Sequence, residues 1–325
     1  MAKLTKRNKE VDKQLQKHFK DNEFAAVFLL LGVENSGKHT FLKQLETIHN
    51  QKYDSNLEEY TSIIEDNLIS SISTLCSFVH YNNINTCNEI VKEIQSELSK
   101  EVNKEKLCEL CEKVYRDESV YELVQQNLVE YTREVYFLDN MDRLKMKDYL
   151  PTSEDIFYAS FPKKRSFFEY KERKNTFKFV IPPISKDFKL AHSMTSERNI
   201  DGQTNTIAGT CIVYFVDMLS LKYTIADDKS KVIFDEVQPF HEDIEKLHSL
   251  NLLKDSLVFY TKSDLFHEKL KKEGCTFEPG RDRIPLPHVQ EYSIYYHFVR
   301  LVNTQNIRFV WRACEQISTG QQLRG

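Results

Sequence analysis

The stretch that decides the fold runs Val27-Phe-Leu-Leu-Leu-Gly-Val-Glu-Asn-Ser-Gly-Lys-His-Thr40. It is a short apolar run, followed by Gly-x-x-x-x-Gly-Lys and then by a segment that can begin a helix. This order predicts a phosphate-binding P-loop, because glycine-turn N–H groups, a helix N-terminus and one lysine together surround a di- or triphosphate. The residue after Lys38 is normally a Ser or Thr that binds Mg²⁺, but here it is His39.

Composition excludes several classes of protein. The chain has 325 residues, enough for two domains, and its net charge of −4 does not favour a nucleic-acid partner. Seven scattered cysteines indicate free thiols in a reducing compartment. A metal or redox role for Cys108-x-x-Cys111 stays open as an alternative, although zinc needs four ligands and no second pair is present.

No membrane-targeting segment is evident. The longest apolar run, at 25–33, is far too short to span a bilayer, and the basic N-terminus lacks the apolar region of a signal peptide. The glycine that myristoylation requires after the initiator Met is also absent. We therefore expect a cytoplasmic protein that reaches the inner face of the plasma membrane only through partners.

The chain consists of regions with two different patterns of composition and hydrophobic spacing. Residues 56–149 contain no Gly or Pro, and their apolar residues recur at helical spacing, which predicts an all-helical block. After Pro151, strands alternate with helices, which is typical of a parallel α/β sheet. The pattern predicts strands at 26–33, 167–171, 176–181, 210–218 and 256–260, a polar and mobile stretch at 185–206, and helices at 38–50, 229–250, 286–300 and after 307–310.

Two consecutive segments carry a resemblance to a known family. They are Tyr136-Phe-Leu-Asp-Asn-Met-Asp-Arg-Leu144 and Asp148-Tyr-Leu-Pro-Thr-Ser-Glu-Asp-Ile156, supported by Gln44 through His49 and by Asn303-Thr-Gln-Asn306. With the P-loop, they resemble the α subunits of heterotrimeric G proteins from about residue 7 to 318.

The resemblance implies a P-loop GTPase-like fold of class α/β, with a mostly parallel sheet flanked by helices and an inserted all-α domain. The implied domains are an N-terminal helix at 1–24, a Ras-like nucleotide-binding domain at 25–51 and 151–325, and the helical insertion at 52–150.

The resemblance also implies a set of nucleotide-binding positions. Asp264 would accept the guanine N1–H and N2–H, and the Lys262 stem would cover one face of the base. Thr261 replaces the Asn of the family's N-K-x-D motif, and Asp142 would face Lys262 across the nucleotide. The full set is Gly32, Glu34, Asn35, Ser36, Gly37, Lys38, His39, Thr40, Asp142, Arg143, Thr261, Lys262 and Asp264.

Several functional positions depart from the family pattern. Glu34 stands where the family has Gly, and His39 stands where it has the Mg²⁺-binding Ser. The catalytic Arg position falls on Ser160 and the Mg²⁺-binding Thr position on Lys163, which either adds a cation near the phosphates or is an ordinary solvated lysine. The family's D-V-G-G-Q aligns with Ile181-Pro-Pro-Ile-Ser185, so Ser185 replaces the catalytic Gln. Gln203 is an alternative replacement with different spacing to the next strand.

Two functions follow from these positions. The first is a guanine nucleotide-binding signalling protein, with GTP or GDP as ligand, impaired hydrolysis, and a βγ dimer, a receptor and an effector as partners. The second is a pseudo-GTPase module that binds those partners without nucleotide switching. The lost positions argue against Mg²⁺ and leave open whether the protein is an enzyme.

Overall fold

The computed structural model describes residues 25–50, 57–100, 103–127, 131–161, 166–172, 175–182, 196–198, 204–206, 210–235, 242–243, 256–279, 281–282, 284 and 294–318. The chain divides into two compact units between residues 50 and 51 and between residues 163 and 164. We call residues 51–163 the helical unit and the remainder the sheet unit. The helix predicted at 1–24 lies outside the described residues.

The elements of both units follow in chain order. They are β1 (Ala25–Gly32), α1 (Lys38–Asn50), α2 (Leu57–Tyr81), α3 (Asn88–Leu98), α4 (Lys104–Tyr115), α5 (Glu118–Gln126), α6 (Thr132–Asp139), α7 (Met141–Leu144), α8 (Ser153–Tyr158), β2 (Phe167–Glu172), β3 (Asn175–Val180), β4 (Ser196–Arg198), β5 (Thr204–Thr206), β6 (Thr210–Asp217), β7 (Tyr223–Ile225), β8 (Val232–Phe234), β9 (Ser256–Thr261), α9 (Ser263–Lys272), β10 (Ile294–Val299) and α10 (Thr304–Ser318).

A six-stranded sheet organises the sheet unit, with strand order β10-β9-β6-β1-β3-β2. Neighbouring strands are parallel except β2, which is antiparallel to β3. Val27 of β1 lies opposite Thr210 of β6, so both strands end at the same edge of the sheet. The predicted fold class, a mostly parallel sheet flanked by helices with a helical domain, is confirmed.

Both faces of this sheet are buried, which explains why β1 is apolar throughout. Phe28 packs on one face with Phe41 of α1 and Trp311 of α10. Leu29 packs on the other face with Phe266 of α9. Two hydrophobic cores therefore hold the strand ends and the turns that follow them in fixed positions.

A separate hydrophobic core holds the helical unit together. It combines Ile64, Leu68 and Ile72 of α2 with Phe137 of α6 and Ile156 of α8. Two helices begin at residues that commonly cap helix N-termini. The Asp117 side chain accepts from backbone N–H groups in the first turn of α5, and Thr152 forms a capping box with Asp155 at α8. The Gly- and Pro-free block thus forms helices with their own core.

One predicted helix is wrong at its beginning. Within 229–250, Val232–Phe234 is a strand that pairs antiparallel with Tyr223–Ile225. The turn between these strands contains Lys229 at φ 56°, and Val232 and Phe234 are buried against the α9 side of the sheet. Because Val232 and Phe234 are buried and Ile233 between them is exposed, this segment is stable as a strand rather than as a helix. In the rest of the predicted helix, the structure describes Asp235, Glu242 and Asp243.

A second predicted helix is wrong at its end. Within 286–300, Ile294–Val299 is a strand that pairs in parallel with β9 along its whole length. Its Tyr-Tyr-His-Phe core has the aromatic character that suits an edge strand. In the stretch predicted to be mobile at 185–206, Ser196–Arg198 pairs with Thr204–Thr206 as a short antiparallel ladder.

Candidate functional site

The P-loop joins β1 to α1 at the carboxyl edge of the sheet. The Lys38 ammonium donates to the carbonyl oxygens of Gly32 at 2.7 Å and Val33 at 2.5 Å, and lies 3.2 Å from Ser36 Oγ. Lys38 is only 6% exposed, so its charge is concentrated inside the turn. Since α1 is a 13-residue helix that begins at Lys38, its N-terminus adds backbone N–H groups and a positive dipole end. Lysine and helix end together fit a phosphate group.

Two glycines permit the path of this loop. Gly32 has φ 128°, and a Cβ there would lie 2.3 Å from the Phe215 carbonyl oxygen. Gly37 has φ 98°, and its Cβ would lie 2.0 Å from Cδ1 of Leu301. At Gly32 the positive φ and the backbone contact both exclude a side chain, whereas at Gly37 the positive φ disfavours one and the Leu301 side chain would have to move.

Thr261 ties the P-loop to the end of β9. Its hydroxyl is fully buried, donates to the Ser36 carbonyl at 2.9 Å and lies 3.2 Å from the Val216 carbonyl. A hydroxyl has one proton, so it serves one of these carbonyls at a time. Thr261, predicted as a weakened base contact, thus joins the P-loop to the end of β9.

The next two site residues begin α9. Lys262 adopts a left-handed backbone at φ 56°, and its ammonium lies 2.5 Å from Oδ2 of Asp217, at the end of β6. Asp264 lies in the first turn of α9 and is partly exposed. The structure brings Thr261, Lys262 and Asp264 to the same sheet edge as the P-loop. Asp217 was missed because a carboxylate at the end of a predicted strand looks like a solvated residue.

Gln44 positions the loop that follows β10. This buried side chain donates to the Leu301 carbonyl at 2.8 Å and accepts from the Thr304 hydroxyl at 3.0 Å. The first bond holds Leu301 beside the P-loop, where its side chain fills the space next to Gly37, and the second holds the start of α10. The loop therefore supports the P-loop through packing.

Asp142 and Arg143 lie in the helical unit. Arg143 donates to both carboxylate oxygens of Asp155, at 2.9 and 2.6 Å, and Asp142 pairs with Lys145 at 2.5 Å. Asp155 is fully buried and also accepts from the hydroxyls of Tyr136, Tyr149 and Thr152. Burial alone would raise the pKa of Asp155, but the bonds from Arg143, Thr152 and Tyr149 outweigh it and hold that pKa well below its usual value. The nucleotide-binding role of Asp142 and Arg143 stays a prediction.

Ser160, at the catalytic Arg position, is held through its backbone. Asn67 of α2 accepts from the Ser160 N–H at 2.8 Å and donates to the Ser160 carbonyl at 3.0 Å. The Ser160 side chain is exposed and short. Lys163, Ser185 and Gln203 lie outside the described residues.

The described residues at the expected metal positions do not fit Mg²⁺. Ile181, at the position of the family's Asp, is buried in the core beside β3, and its N–H continues the hairpin by donating to the Ser166 carbonyl at 2.7 Å. His39 offers an imidazole where a hard cation prefers oxygen. Across the described ranges, no group of three or more His, Cys, Asp or Glu side chains could hold a metal ion.

The Cys108-x-x-Cys111 pair lies in the core of the helical unit. All seven cysteines lie within the described part of the chain, and they are buried and form no disulfide there. Burial raises the pKa of Cys108 to about 11 and that of Cys111 well above its ordinary value, which keeps both as neutral thiols. Both cysteines therefore act as core residues.

No helix in the described part of the chain has the length and apolar character needed to cross a bilayer.

Comparisons with known proteins agree with this geometry. The model of a family described as "G-protein alpha subunit" matches residues 5–279. The chain is 25% identical to the "Guanine nucleotide-binding protein G(o) subunit alpha" of Locusta migratoria, over 96% of this chain and 94% of that protein. It is 24% identical to the "Guanine nucleotide-binding protein subunit alpha-13" of Mus musculus, over 96% of this chain and 89% of that protein. The family match runs through both units and includes the P-loop and residues 261–264.

Proposed function

Since the chain belongs to the G-protein alpha subunit family, we propose that this signalling protein binds GDP and GTP in its P-loop without using Mg²⁺ and does not hydrolyse GTP. The observation that carries the proposal is the buried Lys38 ammonium, gathered inside the turn at the N-terminus of α1. The Lys38 ammonium now donates to two carbonyl oxygens of the loop, and the oxygens of a β-phosphate could accept from it in the same way. They could also accept from the backbone N–H groups at the N-terminus of α1.

Base recognition in this proposal depends on the start of α9. The partly exposed Asp264 carboxylate accepts two N–H groups of guanine, and the Lys262 stem covers one face of the base. Thr261 contributes indirectly, because its hydroxyl holds the P-loop through Ser36. Asp264→Asn should therefore relax the selectivity for guanine over other bases.

Loss of hydrolysis follows from the groups that would act on the transition state. An arginine near the transferring phosphoryl group contributes about 10³–10⁵ in rate, and Ser160 is neutral and short. Ser185 is too short to orient an attacking water, and Pro182 and Pro183 stiffen its approach. Glu34 adds a carboxylate at a loop position where the family has Gly. These losses act on one transition state, so they need not add independently.

A second candidate function is a binding module that engages a βγ dimer, a receptor or an effector in one conformation. The observation in its favour is that Thr261 and Lys262 both have partners inside the protein, in Ser36 and Asp217. A module of this kind needs no nucleotide to hold the P-loop in place. For both candidate functions we propose a cytoplasmic location, with membrane contact through these partners.

Titration of the purified chain with fluorescent GDP and GTP analogues distinguishes the two functions. Saturable binding that Lys38→Ala abolishes, and that Lys271→Ala leaves unchanged, supports the nucleotide-binding function. Lys271 is a suitable control because it is an exposed lysine in the last turn of α9. Absence of saturable binding in the wild type, with the fold intact, would favour the binding module.

A further inference from the structure

The Asp217–Lys262 ion pair lies at the carboxyl edge of the sheet, in the part of the site assigned to the base. Asp217 ends β6 and lies opposite Thr261 of β9 in the register of the two strands. Its Oδ2 lies 2.5 Å from the Lys262 ammonium, while its Oδ1 accepts from the Leu219 N–H at 2.9 Å. The Asp217 side chain is 12% exposed and that of Lys262 is 32% exposed.

The pair determines the direction of the Lys262 side chain. Lys262 follows β9, and its ammonium is drawn across to the neighbouring strand β6, which lies between β9 and β1 in the sheet. Its methylene stem therefore runs from the start of α9 toward the strand next to the P-loop. A nucleoside that joined the P-loop to Asp264 would lie along this stem.

Fixing this stem has a thermodynamic consequence. A free lysine side chain loses rotamer freedom when it packs against a ligand, whereas one held by Asp217 has lost that freedom before binding. The carboxylate itself is fixed by its second bond, to the Leu219 N–H. We propose that Asp217 is a positioning residue of the guanine pocket, which holds Lys262 so that its stem forms a fixed wall for the base. This inference rests on the proposed nucleotide-binding function.

Asp217→Asn is the informative variant, because it keeps the side-chain size and an oxygen acceptor for the Leu219 N–H but removes the charge that holds Lys262. Lys262→Met keeps an apolar stem and removes the ammonium. If Asp217 acts through Lys262, Asp217→Asn should weaken guanosine, GDP and GTP-analogue binding by one common factor of about 3–10. In a Lys262→Met background, the same substitution should have no further effect on these affinities.

Selective acylation of lysines, read by mass spectrometry, tests the ion pair without any nucleotide. Lys262 should react more slowly than the exposed Lys271 of the same helix, and Asp217→Asn should raise the Lys262 to Lys271 ratio several-fold. An unchanged ratio would overturn the inference, whatever the nucleotide affinities are.

The titration separates the remaining outcomes. A loss of affinity that grows with the number of phosphates would overturn the positioning role, because Asp217 would then act on the phosphates by charge. An equal loss in the Lys262→Met background would also overturn it. A wild-type chain that binds no guanine compound overturns the proposed function and the pocket role together, and the labelling ratio still reports whether the ion pair forms.

Discussion

The Thr261 hydroxyl donates a hydrogen bond to the Ser36 carbonyl oxygen at 2.9 Å, and this contact joins the end of β9 to the P-loop. Thr261 is fully buried, and the two residues are 225 positions apart in the chain. The family's N-K-x-D motif has an Asn at this position. Thr261 therefore does not contact the base as that Asn would, but links the P-loop to residues 261–264 through a hydrogen bond.

Thr261→Val tests this tie, because it keeps the shape of the side chain and removes the hydroxyl. The Ser36 carbonyl would lose its donor in a buried setting, so the free energy of unfolding of the sheet unit should fall by about 1–3 kcal/mol. Urea unfolding followed by the fluorescence of Trp311, the single tryptophan, measures this unit. Thr261→Ser keeps the hydroxyl and should lose clearly less, and equal losses for the two variants would contradict the role of the hydrogen bond.

Gly37→Ala tests the packing of the P-loop against the loop after β10. The new Cβ would lie 2.0 Å from Leu301 Cδ1 at a backbone φ of 98°, so we expect destabilisation of about 1–3 kcal/mol. Adding Leu301→Ala should recover part of this loss, since it relieves the clash but not the backbone strain. The double substitution has to be compared with Leu301→Ala alone, and a complete absence of coupling between the two sites would contradict this contact.

The Asp155 network predicts a pH dependence of the helical unit. Asp155 has a folded-state pKa below its unfolded value, so its contribution is fully present above the unfolded pKa of about 3.9 and is lost as pH falls toward the folded pKa. Asp155→Asn should destabilise this unit by about 1–3 kcal/mol at neutral pH, because the hydroxyls of Tyr136 and Tyr149 lose their charged acceptor, whereas Arg143 is 37% exposed and stays partly hydrated. The difference between wild type and variant should shrink below about pH 4.

Hydrogen exchange followed by mass spectrometry measures that difference in peptides of α6 and α8, which belong to the core of the helical unit. Glu154→Gln is a matched control, since Glu154 is the exposed neighbour of Asp155 on the same helix. A pH-independent difference between Asp155→Asn and the wild type would contradict the charged state assigned to this carboxylate.

Single-turnover assays test the loss of hydrolysis. The purified chain should show no conversion of GTP above the solvent background, because Ser160 cannot replace an arginine that contributes about 10³–10⁵ in rate. Ser160→Arg alone should not restore the usual rate of the family, since the Gln position and the metal position are also changed. Hydrolysis at that rate by the wild type, lost in Lys38→Ala, would mean that another residue such as Gln203 has taken over.

Sequence reasoning succeeded where periodicity or a motif specified local structure. The apolar run before Gly32 and the helix after Gly37 were both predicted, because a buried parallel strand and a P-loop helix have distinctive patterns. It failed at Ile294–Val299, which reads as part of a helix until its pairing with β9 is known. The aromatic and β-branched residues of this segment are compatible with a strand, but periodicity does not separate a short strand from a helix, and only the pairing with β9 decides between them.

Long-range contacts at the site were also beyond sequence reasoning. Gln44 was recognised only as part of a motif, whereas its two hydrogen bonds reach Leu301 and Thr304, more than 250 positions away. Asp217 carries no motif at all, and only the strand register shows that it lies beside Lys262. Such contacts depend on which strands become neighbours, and a single sequence does not specify this.

The measurement that tests the central claim most directly is the affinity of a non-hydrolysable GTP analogue with excess Mg²⁺ and with excess EDTA, compared with GDP under the same conditions. Because His39 and Ile181 replace oxygen ligands, we predict similar dissociation constants in all four titrations, and loss of binding in Lys38→Ala. Tight binding of the GTP analogue that depends strongly on Mg²⁺ would contradict the account, since it would require a metal site that these residues do not supply.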